Sequence, residues 1–495
     1  MHMQRLASRL GDLTAAAFVA SWLTVSASGQ DGAVDRADGV EPSRPSVTWV
    51  VDDDGAANFS DLPEAVLAAS DGDTLVLRPG RYRAASVHGK GLRIVGAGAS
   101  STVIEQREQE GPFFAASGLA RGQALVLAKL TGIGRGRSLE LTRLHGPVVL
   151  ADLVVDGRDG ARGPYLDQCL NAFLSRVAVV PSPTALDVGD GLTVSHGNYT
   201  MTQVVALGSR GVDAKSPRGR ARTGGSGLAA IDATVESALS EWVGGDGGAA
   251  LWDVFGPFCP EAATAGAGGA AIAIAGRSSL RVFGDGHQHL VGGTGGAATR
   301  NPWEPCWSFA GDGGPALRLA ADIDPAGVAF GGIERSAGLA GVGEEPRVGK
   351  AGVVVEPIEL ELAPTAPPWP TLSIDSVSAV GGQVKLRVFG MPGDRITLLI
   401  GQELVAVTLK KSAGFRLHVG AAGQQSLVQP APIGASGTLA IALDLPGDAA
   451  LVGQWFAVQA LVARRQLVGR ATYVTNCDVL VVGDGLDRAV ESVQR

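Results

Sequence analysis

Apolar residues along this 495-residue chain keep two different rhythms. In the first part they form short runs, at 102–104, 124–127, 139–141, 148–150, 153–155 and 177–180, parted by Gly or Asp and rich in β-branched side chains. Such runs are too short for helices and shorter than most sandwich strands. They predict the brief, stacked strands of a triangular solenoid. From residue 371 the runs lengthen and alternate with polar residues, at 372–377, 383–389, 395–400, 404–409, 437–445, 455–462 and 476–482. Strands of that kind, spaced by Gly and Pro turns, predict a small antiparallel β-sandwich. Between the two lies "PIELELAPTAPPWP", a strand followed by a Pro-rich hinge.

An internal repeat strengthens the solenoid reading. A Gly-rich turn followed by a small-apolar strand recurs as "GDGLTV", "GGSGLAAI", "GAGGAAIAI" and "GDGGPALRL", which makes Leu192, Leu228, Ile272 and Leu317 equivalent. A second block starting at Gly244 aligns with one starting at Gly292. These spacings exceed one coil, so each coil sends out one excursion, always from the same corner. Stacking then gathers the excursions on one flank, the natural functional face.

The stretch 49–98 reads as strand, short helix, strand, turn and strand. Ser60 or Asp61 caps a helix whose apolar side is Leu62, Ala65, Val66 and Ala69, with Asp71-Gly72 as its stop. Gly72, Asp73, Thr74, Leu75, Leu77, Pro79, Gly80 and Tyr82 form a G-D-T-L-x-L-x-P-G-x-Y segment. This resembles the N-terminal start of right-handed parallel β-helix proteins, the pectin-lyase-like superfold. The resemblance implies the fold, with the small helix covering the open end, and implies no particular chemistry. "VFGMPGDRITLLIG" and "GTLAIALDLPGDAALVGQWFAVQALV" more loosely resemble the C-terminal β-sandwich of exported proteins of planctomycete-like bacteria.

The expected fold class is therefore all-β. Residues 1–29 form a signal peptide, 30–46 a linker, 47–362 the β-helix of about ten coils, 363–370 the hinge, 371–485 the sandwich, and 486–495 a tail. Arg5 and Arg9 ahead of an apolar run at 13–25, with Ala27-Ser28-Gly29 as cleavage site, carry the export reading. The expected location is extracellular, cell-surface or periplasmic, with no membrane span after cleavage. A net charge of −8 excludes a basic nucleic-acid face. Glycine, 71 residues, is about twice its usual share, and no G-x-y period is read in it, which excludes collagen.

Candidate chemistry is sparse. Cys259 and Cys306 occupy equivalent places in two successive excursions, and an oxidising compartment would join them as a disulfide. Cys169 and Cys477 read as buried free thiols. Trp252, Trp303 and Trp307 lie in the same excursions and either shield the disulfide or stack on sugar. Asp285, His287 and His289 lie together, with the two histidines on one side of a strand, as a low-ranking ligand site. The four Gly-Asp-Gly triplets read as turns rather than calcium sites, because tandem nonapeptides are missing. No metal or cofactor is supported by a motif, calcium included. Polygalacturonase-type, pectate-lyase-type and pectinesterase-type motifs are not matched, so no catalytic residue carries over. These features point to an exported, non-catalytic, monomeric protein contacting polysaccharide or cell-surface components. The competing reading is a polysaccharide lyase or glycoside hydrolase with a divergent site.

Overall fold

The computed structural model describes residues 45–484 except 56, 108–109, 158–161, 182–187, 215–219, 251–262, 299–308, 325–326, 343–347, 357–368, 376–377, 403, 408–411, 415–416, 420–424, 429–431 and 466–469. Its first part is a parallel β-helix with three faces. Face A stacks ten strands among the described residues, from Thr48–Val51, Thr74–Leu77 and Arg93–Gly96 to the start of Val328–Ser336. Face B begins with Gly80–Arg83 on Thr102–Glu105, and face C with Ala85–His88 on Phe114–Leu119. The repeat equivalences hold in register: Leu192 pairs Leu228, Leu228 pairs Ile272, and Ile272 pairs Leu317. A fifth member follows, with Leu317 paired to Val355.

Between faces A and B the chain turns on a single residue. Lys129, Asp152, Arg176, Gln203 and Leu239 occupy that corner in successive coils with φ between 52° and 57°. Non-Gly residues pay about 1 kcal/mol or more each for this left-handed region. The turn inserts one residue between two strands, so the next side chains again point inward.

The capping helix α1 (Leu62–Ala68) buries Leu62, Ala65 and Val66, and the Asp61 carboxylate accepts from the Leu62 N–H. It ends at Ala68, ahead of Gly72, whose φ of 79° serves the turn into the next strand. Asp73 is fully buried and accepts from Val47 N, Trp49 Nε1 and Ser70 N. The Tyr82 hydroxyl donates to carbonyls within reach at Val51 and Arg78. The motif at 72–82 is thus spent on closing the first coils.

From Thr371 to Gly483 the chain forms two antiparallel layers. Thr371–Ile374, Gln383–Phe389 and Thr438–Asp444 make one, and Arg395–Gly401, Gln425–Val428, Trp455–Arg465 and Asp478–Gly483 belong to the other. Leu386, Val388, Leu398, Val458 and Val462 meet in the core between them.

This sandwich lies on face A. Val95, Val126, Ala128, Val149, Ala151 and Phe173 point outward from that face and pack on Leu399, Trp455, Cys477, Val479 and Val481. Strands covered on both sides read as continuous apolar runs, which is why "TLVL" and "VVLA" do not alternate. Polar contacts accompany the apolar ones. Ser175 donates to the buried Asp478 carboxylate, Arg176 lies 3.4 Å from it, and Thr202 donates to Cys477 O. Burial pushes the Asp478 carboxyl up, against the opposing pull of Arg176. Cys169 and Cys477 are buried free thiols, as the sequence suggested.

Candidate functional site

The excursions leave between faces B and C, and their described parts form a wall. Outgoing rows 208–214, 244–250 and 292–298 lie over one another. Gly208, Gly211 and Ala214 donate to Val243, Asp246 and Ala249. Gly244, Gly247 and Ala250 donate to Val291, Thr294 and Ala297, and Gly292, Gly295 and Ala298 to Ser336, Leu339 and Val342. Returning rows repeat this: Ala221, Gly224 and Gly227 donate to Thr264, Ala267 and Ala270. One bond per three residues, with the partners in neighbouring rows, is the habit of polyproline II rather than of a strand or a turn.

Outgoing and returning rows are stitched sideways. Gly225 donates to Ser209, Gly245 to Gly225, Gly269 to Gly245, Gly293 to Gly269, Gly314 to Gly293 and Gly338 to Gly314. Rows approach so closely that only hydrogen fits between them. A Cβ on Gly268 would fall on the Gly293 carbonyl, and one on Gly293 on the Gly245 carbonyl. Here the expectation of turns is corrected. Three of the Gly-Asp-Gly triplets, at 189–191, 245–247 and 311–313, lie within rows, while Gly284-Asp285-Gly286 lies inside the strand Ser279–Val291. A local G-G-x period does exist, in "GGDGG" and "GGTGG". It was the signal for the wall, hidden among glycines that usually mark turns.

Aspartates pin successive layers. Asp190 Oδ1 accepts from Ser226 N at 2.7 Å, Asp213 from Ala249 N at 2.7 Å, Asp246 from Thr294 N at 2.9 Å, and Asp312 from Lys350 N at 2.7 Å. Each carboxylate takes up an N–H that the row lattice leaves over. Burial, the largest influence, pushes the Asp190 carboxyl above the usual range.

At the far end of the wall, Ala214, Ala250 and Ala298 bridge layer to layer, as do Arg220, Thr264 and Phe309. Segments 215–219, 251–262 and 299–308 start and finish on those stacked bases. Trp252, Cys259, Trp303, Cys306 and Trp307 belong to these segments and lie outside the described residues. The three remaining candidates, Asp285, His287 and His289, sit on Ser279–Val291, whose pairing slips between Phe283 and Gln288. His289 Nδ1 meets Glu334 Oε2 of the next coil at 3.2 Å, and the Asp285 carboxylate is half-buried.

Two acidic constellations escaped the sequence reading as sites. At the corner between faces C and A, His196 Nδ1 lies 2.9 Å from Asp167 Oδ1 and Nε2 lies 3.6 Å from Asp232 Oδ2. Ser195 also donates to Asp167, and Asp232 accepts from Arg277 N. The imidazole thus lies between carboxylates of the coils before and after its own, hydrogen-bonded to Asp167 and half-exposed on its Asp232 side. Asp52, Asp53 and Asp54 cluster before α1, with carboxylate oxygens within 4.8 Å of one another. A hydrogen bond with Asp52 and its like charge raise the Asp54 carboxyl. A groove of about 670 Å³ lies beside α1, lined by Pro63, Leu67, His88 and Lys90. Its two basic groups are engaged: Lys90 Nζ donates to Val66 O and Ala69 O, and His88 pairs with Ser117.

No protein-family model matches the chain, and no curated protein proves similar to it. Among solved structures, pectin methylesterase PemA from Erwinia chrysanthemi aligns over 63% of this chain and 93% of its own. The identity is 10% and the TM-score 0.27. A likeness that slight carries no argument about chemistry. Among the described residues, no helix is long and apolar enough to cross a membrane.

Proposed function

We propose that the protein is an exported, non-catalytic module for surface adhesion or glycan contact, with the wall as a rigid mount. One observation carries this reading. Bridges Ala250↔Ala298 and Thr264↔Phe309 seat both ends of segments 251–262 and 299–308 on adjacent layers. Three of the chain's eight tryptophans, Trp252, Trp303 and Trp307, belong to those segments. Aromatic rings offer large contact area at small entropic cost, and they stack on pyranose faces. The same seating favours a Cys259–Cys306 disulfide. Export rests on the apolar run at 13–25.

The lyase or hydrolase reading would draw its acids from Asp167 and Asp232 around His196. Asp167 already accepts from Ser195 and meets His196, and Asp232 accepts from Arg277 N, which favours a structural role instead. A panel of acidic and neutral polysaccharides, offered with and without calcium, tests the proposal. Binding without product formation supports it, and release of new reducing ends or unsaturated sugars overturns it.

A further inference from the structure

His196 and Asp232 stand one above the other at the corner between faces C and A. Asp167 pairs with Ser195, Ser195 with Ile231, and Ile231 with Ala275. The residues that follow, Gln168, His196, Asp232 and Gly276, therefore form one column, each with φ between 47° and 64°. Both functional groups are aimed by outer partners. Asp167 Oδ1, which also accepts from the Ser195 hydroxyl at 2.7 Å, lies 2.9 Å from His196 Nδ1. A carboxylate only accepts, so it fixes the imidazole proton on Nδ1 and turns the Nε2 lone pair towards Asp232. Asp232 Oδ1 accepts the Arg277 backbone N–H at 2.8 Å, and Oδ2 is left facing Nε2. Glycine at 276 makes room for this pose, since a Cβ there would fall 2.4 Å from Asp232 Oδ1.

Two electron-pair donors thus face each other across 3.6 Å, with their side chains 53% and 41% exposed. The gap is long for a hydrogen bond, and lone pairs held there repel unless a cation lies between them. It suits a shared metal ion. Bonds of about 2.0–2.2 Å at a tetrahedral angle set a nitrogen and an oxygen donor about 3.4 Å apart. Imidazole nitrogen beside carboxylate oxygen selects a zinc-like ion over calcium or magnesium, which favour all-oxygen sets. An outer carboxylate on the imidazole N–H is the usual support of a histidine ligand.

We propose that His196 Nε2 and Asp232 Oδ2 bind a divalent transition-metal ion of the zinc class, with water completing its shell, and that the ion clips two successive coils together. Asp167 is the positioning residue for His196. The site goes beyond the sequence, where no motif supports a metal, and it does not depend on the glycan reading.

Calorimetric titration of the chelator-treated, unreduced full chain with zinc tests it. The parent should bind one zinc ion more than either His196→Asn or Asp232→Asn, and excess zinc should raise its melting temperature more than theirs. Asparagine tolerates the left-handed corner, and at 232 it keeps the acceptor for Arg277 N, so both variants should fold, as circular dichroism checks. Asp167→Asn changes neither ligand and should weaken zinc binding at least tenfold. In the parent itself, zinc but not calcium should protect His196 from diethylpyrocarbonate, read by peptide mass. Equal zinc uptake by the parent and both variants, or no uptake by any, would overturn the proposal and leave His196 a protonated bridge between carboxylates. Loss of the ion in only one of the two variants would overturn the pair as its ligands.

Discussion

Asp246 Oδ1 accepts the Thr294 backbone N–H at 2.9 Å across 48 positions of sequence. The bond locks one wall layer to the next, and it uses the aspartate of a Gly-Asp-Gly triplet for architecture. Asp246→Ala should cost about 1 kcal/mol, the net worth of one solvent-accessible hydrogen bond. Asp213→Ala should cost more, because its bond to Ala249 N is half-buried. Asparagine at either place keeps the acceptor and most of the stability. Denaturant melts with and without calcium check this, and a calcium-dependent midpoint would point to a metal role instead.

Glycine in the wall is required by space rather than by backbone angle. Gly268→Ala would drive a methyl into the Gly293 carbonyl, and both belong to rows held on two sides. Overpacking of a rigid lattice should cost about 3 kcal/mol or more. Gly122→Ala is the contrast, since nothing lies within 4 Å of its added Cβ. That variant should melt within about 1 kcal/mol of the parent.

Legibility in the sequence followed the physics of each part. Leu192, Leu228, Ile272 and Leu317 were readable as one column because parallel stacking repeats the same burial in every coil. Leu62, Ala65 and Val66 were readable because a helix cap needs an apolar side at helical spacing. The rows from Gly208 onward were misread, since glycine usually signals freedom to turn, and here it signals lack of room. The covered face A was written in the unbroken run Val148, Val149, Leu150, Ala151, which an exposed solenoid face would interrupt with polar residues. Pairings such as Glu236 with His418, buried at 2.8 Å between the two domains, join residues 182 positions apart without any periodicity. Nothing local in sequence announces a contact of that kind.

Asp190 makes a pH prediction whose sign can be worked out. Burial raises its carboxyl in the folded state above the ordinary value of about 3.9. Between the ordinary and the raised value, the folded protein holds a proton that the unfolded chain has released. Stability from this group is therefore greatest in acid, falls as pH rises through that window, and stays lower at neutral pH. Asp190→Asn keeps the bond from Ser226 N without the charge. Its melting temperature relative to the parent should rise from acid to neutral pH, and a difference that shrinks instead would contradict the assignment.

Thiol titration separates the two cysteine pairs. Burial and the Asp167 charge push the Cys169 thiol up to about 12, and burial pushes Cys477 well above the usual thiol range. Neither should react in the folded protein. With Cys259 and Cys306 joined, the native, unreduced protein should show no reactive thiol, and denaturation without reductant should expose two. Four thiols on denaturation would sink the disulfide.

The central claim is that the wall holds Trp252, Trp303 and Trp307 for contact without catalysis. The most direct measurement is retention of the purified full chain on immobilised polysaccharides, run beside the triple variant Trp252→Ala, Trp303→Ala, Trp307→Ala, with product analysis of the same incubations. The account predicts that at least one polysaccharide retains the parent, that the triple variant is released while its melting curve is unchanged, and that no cleaved product appears. Equal retention of both proteins, or turnover of any polysaccharide by the parent, would contradict it.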